Sequence, residues 1–341
     1  MVFMNRTTSY DVGYFVQQTT DGGYIVVGHT EFFDAGSSDI YLIKTDSFGD
    51  AMWTQTFGGS NYDAGYSVQQ TTDGGYIVVG HTESYGAGSS DIYLIKTDSS
   101  GDTLWTQTFG GSNYDAGNSV HQTTDGGYII VGYTESYGAG WNDVYLIKTD
   151  SFGDAMWTQT FGGSSGDEGN SVQQITNGGF IVTGVTNSYG AGNNDVYLIM
   201  TDSNGDTLWT QTFGGTGHDS ARSVLQTTDG GYIVAGSTQS YGAGGLDVYL
   251  IKLEPETGIE DENEGCVSLV TLESIEPNPF SSNLSITYSI LEQARIELAV
   301  FDLSGRLVEE LISDQLPAGT HTMMWSPSES IPNGCYLIEF N

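Results

Sequence analysis

Positive charge is what this chain has least of. Of 341 residues only 8 are Lys or Arg, against 43 Asp or Glu, leaving a formal net charge of −35. A surface so short of cations cannot displace the counterions of a phosphate backbone, so nucleic acid and an anionic bilayer are excluded as main partners. No run of about 18 apolar residues occurs, which excludes a helical membrane span. Cysteine is nearly missing: Cys266 and Cys335 suffice for one disulfide but have neither metal-ligand nor redox spacing. The opening MVFMNRTTSY lacks the apolar core of a signal peptide, so the chain reads as cytoplasmic or as missing its start.

Glycine, by contrast, is abundant, with 48 residues, roughly twice the usual share. Its placement is periodic. A 52-residue unit begins at Tyr10, Tyr62, Tyr114, Gly166 and His218 without an insertion, and the first two copies agree at 44 positions. Sameness between such recent copies is not evidence of functional constraint.

Within the second copy the apolar pattern has the short period of strands. Ser67 to Thr72, Tyr76 to Glu83, Asp91 to Asp98 and Leu104 to Phe109 read as four antiparallel strands, joined by the turns Asp73-Gly74-Gly75 and Ser100-Gly101-Asp102 and by the loop Tyr85-Gly86-Ala87-Gly88. Four short strands per repeat, head to tail, predict an all-β fold: a β-propeller of about five four-stranded blades over residues 1–257. A parallel β-helix is the rival, disfavoured by the hairpin turns. The fifth copy ends in Leu250-Ile251-Lys252-Leu253 without its WTQTFGG strand. The segment Met1 to Thr8, placed where a fourth strand would fall, is expected to pair with Val248 to Lys252 and close the ring; a piece of a larger propeller is the equal alternative.

Several constellations in the repeats invite a chemical reading. The pairs Asp98 and Asp102, Asp150 and Asp154, and Asp202 and Asp206 flank a glycine turn like the start of a calcium loop, yet lack its further acids. They are candidate calcium ligands, with a plain hairpin turn as the alternative, and no other cofactor is expected. Asp73 recurs in every copy except for Asn177, a swap that reads as turn chemistry. Tyr85, Tyr137, Tyr189 and Tyr241 recur in one loop and could stack on sugar rings, or pack between neighbouring loops. Trp53, Trp105, Trp157 and Trp209 read as packing within and between blades. Lys44, Lys96, Lys148 and Lys252 follow the most apolar strand, and Met200 replaces them in the fourth copy, which reads as a lysine stem along apolar surface. Catalysis needs asymmetry, and the polar residues that break the repeat are His121, Asp167, Glu168, His218 and Arg222; Glu168, His218 and Arg222 are the catalytic candidates. His29 and His81 become Tyr133, Val185 and Ser237, which excludes a ring of histidine ligands.

Beyond an acidic linker at 258–265 the sequence changes character. Strand-like alternation in Leu284 to Ile290, Arg295 to Leu303, Leu307 to Ile312, His321 to Trp325 and Cys335 to Phe340 predicts a small β-sandwich over 266–341. Here Pro277-Asn278-Pro279-Phe280, Ile286-Thr287-Tyr288, Val300 to Val308 with Gly305 and Arg306, Ala318-Gly319-Thr320-His321 with Trp325, and Asn333-Gly334-Cys335-Tyr336-Leu337 closely resemble the C-terminal sorting domain of the bacterial type IX secretion system. The resemblance implies an Ig-like sandwich read by an outer-membrane translocon, and delivery to the cell surface or the exterior. The repeats are similar to those of uncharacterised secreted bacterial proteins with the same tail. The family's cargo begins with a signal peptide and its tail continues past the point where this chain stops, Asn341, so a partial reading frame with a truncated sorting domain is expected. The function that follows is a secreted or surface-displayed binding protein without catalysis, its ligand an extracellular protein or glycan. The alternative is an extracellular hydrolase or lyase with its site at the propeller channel.

Overall fold

In the computed structural model, which describes residues 10–31, 37–242, 244–254, 270–277, 282–291, 293–302, 306–327, 331 and 336–340, every regular element is a strand. The second copy forms a four-stranded antiparallel meander from Asp63–Gln70, Tyr76–Thr82, Asp91–Thr97 and Thr103–Phe109. Its first strand begins at Asp63, four residues before the sequence pattern suggests. Gly65 is a packing device at a bulge between Gly65 and Ser67. A Cβ there would stand 2.6 Å from Val27 of the preceding sheet. The Asp73-Gly74-Gly75 turn uses both glycines. Gly74 has φ +85°, and a Cβ on Gly75 would meet the Thr97 carbonyl oxygen at 2.1 Å.

Copies one to four each give such a sheet, and the fifth gives a three-stranded one from Asp219–Gln226, Tyr232–Thr238 and Asp247–Leu253. Successive sheets pack face to face. Ile25, Val27, Ile40 and Leu42 of the first lie against Val68, Tyr76, Val78, Tyr93 and Ile95 of the second, and the same positions, moved on by whole repeats, build the next three interfaces. Each fully buried aliphatic side chain there stabilises by about 1.5–3 kcal/mol. One cavity of about 480 Å³ is lined by residues of the first strand of all five sheets, among them Gln17, Gln69, His121, Ser171 and Leu225. Five meanders whose innermost strands share one axis make a β-propeller array. Among the described residues the repeated faces at its ends are exposed: Val248 and Leu250 of the fifth sheet are 86% and 53% exposed, and Val16 of the first is 58% exposed. The expected pairing of Met1 to Thr8 with the fifth sheet lies outside the described residues, as do the 258–265 linker and both cysteines.

The chain divides into two compact units, Met1–Ser240 with Leu246–Glu256, and Tyr241–Gly245 with Thr257–Asn341. The second contains two three-stranded sheets. Leu284–Ile290 lies between Val270–Glu276 and Gly319–Trp325, and Ala294–Asp302 lies between Leu307–Leu316 and Tyr336–Phe340. Leu284, Ile286, Tyr288 and Ile290 alternate inward to meet Ile296, Leu298 and Val300, with Trp325 buried among them. The Trp325 indole N–H donates to Glu309 at 3.0 Å. Val270–Glu276 is a strand that the sequence pattern does not announce.

The lysine and aspartate substitutions in the fourth copy prove to be one event. Lys96, 3% exposed, places its ammonium 3.0 Å from the Asp73 carboxylate of the neighbouring turn and 2.8 Å from the Thr97 carbonyl. Lys44 with Asp21, Lys148 with Asp125 and Lys252 with Asp229 repeat the pair. Burial pushes Asp73 up, but hydrogen bonds from the Thr71 hydroxyl, the Gly75 amide and the Lys96 ammonium outweigh it and bring the carboxyl down to about 2. In the fourth sheet the cation and anion vanish together as Met200 and Asn177, while Asn177 keeps the turn by accepting from the Gly179 amide at 3.0 Å. These lysines are therefore members of ion pairs with the neighbouring turn and not bare stems. Asp73→Asn is expected to destabilise the protein by about 1–3 kcal/mol, because it strands a buried ammonium beside a half-exposed partner. Adding Lys96→Met, which recreates the fourth sheet's combination, should restore most of that loss in urea denaturation. A double variant that loses the sum of the Asp73→Asn and Lys96→Met losses would show the two positions to be uncoupled.

Candidate functional site

A chain of rings runs across the first three blades, through three positions of the repeat. Tyr14 meets His29 at 5.5 Å, His29 meets Tyr62 at 5.6 Å, Tyr62 stacks on His81 at 5.4 Å, His81 meets Tyr114 at 5.6 Å, and Tyr114 stacks on Tyr133 at 5.9 Å. Each ring closes the gap between neighbouring blades, so the seam is filled. His81 is 1% exposed and both its ring nitrogens are unpartnered. Burial drives its pKa down to about 4, against the opposing pull of Asp63.

In the fourth and fifth blades the same three positions are Gly166 and His218, Asn170 and Arg222, and Val185 and Ser237. The filling stops, and a cavity of about 490 Å³ opens. The third blade contributes Trp141. The fourth contributes Glu168, Asn170, Asn187 and Asn194, and the fifth His218, Arg222, Ser237 and Gln239. Glu168, His218 and Arg222, singled out in the sequence because they break the repeat, are thus brought to one place. Asn142 donates to the Glu168 carboxylate at 2.9 Å, and Asn170 donates to the Ala221 carbonyl at 2.8 Å, which fixes that amide across the seam. Ser220 and Ser237 share a hydrogen bond of 3.2 Å. Trp141 is 84% exposed at the rim. Arg222 and Asn170 also line the axial cavity, so the two hollows adjoin.

Trp141, Asn170 and Gln239 escape a search for titratable groups. Their signal is comparative: the rings at three repeat positions thin out toward the last copies, first at Asn118 in the third, then at Gly166, Asn170 and Val185 in the fourth. Asp167 corrects the list of symmetry-breaking residues. It stands at the position of Asp63, Asp115 and Asp219, and like them binds the glycine loop and a serine of its own blade, accepting from the Gly163 amide at 2.9 Å and Ser188 at 2.6 Å. His121 lies in the axial cavity, away from Glu168 and His218.

The other candidate residues have local partners. Tyr85, Tyr137 and Tyr189 donate to the carbonyls of Gly58, Gly110 and Gly162 at 2.6, 2.7 and 2.7 Å, strutting each loop against the preceding blade; with Tyr241 they keep about half of each ring exposed. Asp98 accepts from the amides of Ser100 and Asp102 at 2.8 and 3.0 Å, and Asp150 and Asp202 repeat this turn. Asp102 and Asp154 receive Gln55 and Gln107 of the preceding blade, and Asp206 closes its own turn. Among the described residues no three His, Cys, Asp or Glu side chains gather as a metal cage. Of the sorting-motif residues, Pro277 follows a cis peptide bond and Arg306 is exposed; Asn278, Pro279, Phe280, Gly305 and Gly334 lie outside the described residues.

Residues 274–341 match the secretion system C-terminal sorting domain family. This part of the chain is a type IX sorting domain. It addresses the protein, through that secretion system, to the cell surface or the extracellular space. Among the described residues no helix is long and apolar enough to cross a membrane. A stretch of 202 residues, 51% of the chain, is 28% identical to the regulatory protein FlaEY of Caulobacter vibrioides and spans 21% of that protein's length. Among solved structures, the endo-arabinase of Bacteroides thetaiotaomicron is similar with a TM-score of 0.41 and 11% identity, over 73% of this chain and 96% of that one. A family 43 arabinoxylan arabinofuranohydrolase from Bacillus subtilis aligns with a TM-score of 0.33 and 11% identity, over 98% and 94% of the two chains. Likeness at this level says nothing of what the cavity binds.

The filled seam has a consequence for pH. The folded pKa of His81, about 4, lies below the ordinary 6.5, so between these values the unfolded chain binds the extra proton. Its contribution is intact above pH 6.5 and is lost as pH falls toward 4, up to about 3 kcal/mol. The double variant Tyr66→Asn, His81→Tyr carries the third blade's own pair, Asn118 and Tyr133. It should lose less stability than the parent between pH 6.5 and 4 in denaturation curves; superimposable profiles would refute the assignment.

Proposed function

We propose that the protein is a secreted, non-catalytic glycan-binding protein whose combining site is the cavity between the fourth and fifth blades. The observation that carries this reading is the composition of that cavity. An exposed indole, Trp141, stands beside three asparagines, a glutamine and Glu168, at a seam where the filling by aromatic rings stops. A sugar ring offers an apolar C–H face for an indole and hydroxyls for amides and carboxylates. A cavity lined this way fits such a ligand better than the apolar side chains of a protein partner.

A glycosidase would need two carboxyl groups facing the same bond, one as acid and one as base or nucleophile. Glu168 faces the cavity, but the other acid at its wall, Asp219, is fully buried and occupied by the Gly215 amide and the Ser240 hydroxyl. Those hydrogen bonds outweigh the effect of burial and hold its pKa below the usual carboxylate range. Glu168 serves here as an acceptor for sugar hydroxyls.

Trp141→Ala is expected to weaken binding to oligosaccharides about tenfold, as read by glycan array and calorimetry, without changing thermal stability. Glu168→Gln should reduce affinity while no hydrolysis of the bound sugar appears on prolonged incubation. Unaltered binding by the Trp141 variant would remove the cavity from consideration, and turnover abolished in the Glu168 variant would establish a hydrolase.

A further inference from the structure

Resting on the glycan reading, a second property of the same cavity concerns charge. Among the described residues of the repeats the cations are Lys44, Lys96, Lys148, Lys252 and Arg222. Each lysine is bound to an aspartate within 3.0 Å. Arg222 alone has no ion pair and no side-chain hydrogen bond among those residues, although the chain carries 43 acids. It is exposed, on the innermost strand of the fifth blade, where the cavity joins the axial hollow. Its equivalents in the other blades are Tyr14, Tyr66, Asn118 and Asn170, so the charge occurs once in the array.

We propose that Arg222 makes this a site for acidic sugars, binding the carboxylate of a uronate-type residue while Trp141 and the amides hold the rest of the oligosaccharide. A guanidinium is a planar fork that meets both oxygens of a carboxylate, and it stays charged at any working pH. Glu168 does not cancel it: no ion pair forms between the two, and the Glu168 carboxylate is held by Asn142 at 2.9 Å. In a protein of net charge −35 an anion is repelled in general, so one unpaired cation confines acidic ligands to one place. The cavity then discriminates by position as well as by sign, because the carboxylate must reach Arg222 while a sugar face reaches Trp141.

The test uses the full chain and matched pairs of oligosaccharides: oligogalacturonate with its neutral galactan counterpart, glucuronan with glucan, and mannuronate-rich alginate with mannan. A sulfated galactan is added to separate carboxylate from any anion. At least one acidic member should bind about tenfold or more tightly than its neutral partner. Arg222→Gln should erase that preference, Arg222→Lys should restore part of it, and Trp141→Ala should weaken both sugars. Neutral sugars bound as well as acidic ones, or a preference that survives Arg222→Gln, would overturn the acidic-sugar assignment and leave glycan binding standing. Sulfated galactan bound in place of every carboxylated sugar would also overturn it. Binding of no oligosaccharide in the panel would overturn both readings together.

Discussion

A four-stranded sheet that is apolar on both faces has no stable existence in water by itself, and everything in the first unit follows from that constraint. Ile77, Val79, Ile92 and Leu94 need one neighbour, while Tyr76, Val78, Tyr93 and Ile95 on the other side of the same strands need another. Duplication supplies both neighbours at once, because each copy presents the complement of what it requires. The polar groups inside each interface are then obliged to find partners locally. This explains the Lys96 and Asp73 pair, the stapling of Gln122 to Gln69 at 2.6 Å, and the short hydrogen bonds of the aspartates at each glycine loop.

Against that uniformity the cavity is made by subtraction. No residue is inserted into the repeat to build it; ring positions filled in the first blades carry Gly166, Asn170 and Val185 in the fourth and Arg222 and Ser237 in the fifth, and the space they leave is the proposed site. Duplicate copies make this tolerable, since the interfaces that hold the array together remain filled elsewhere. The buried aliphatic positions of the fourth interface, Ile181, Val196 and Leu198, are retained beneath the cavity.

Much of this was legible in the sequence. The 52-residue period, the Asp-Gly-Gly turns and the alternation in Leu284 to Ile290 carry local information, and the strands they predict are present. The polar residues that break the repeat were also visible, and Glu168, His218 and Arg222 do converge. What a single copy could not show is contact between blades. Asn177 and Met200 were two unrelated substitutions until the ion pair that they jointly replace was seen. Trp141 drew no reading in the sequence, because its companions in the cavity, from Glu168 to Gln239, are distant along the chain. Gly65, which lies outside the strand expected from Ser67, allows one sheet to press against another.

The uncovered faces of the first and fifth sheets bear on how the array holds together in time. A blade gripped on one side only has less to lose on opening than one gripped on both, so local opening begins at the ends. The proposed combining site straddles the seam that attaches the fifth blade, with Glu168 and Asn170 on one bank and His218 and Arg222 on the other. A molecule lodged there acts as a clasp: it adds its own grip to the weakest joint, and the protein is more tightly assembled when loaded than when empty.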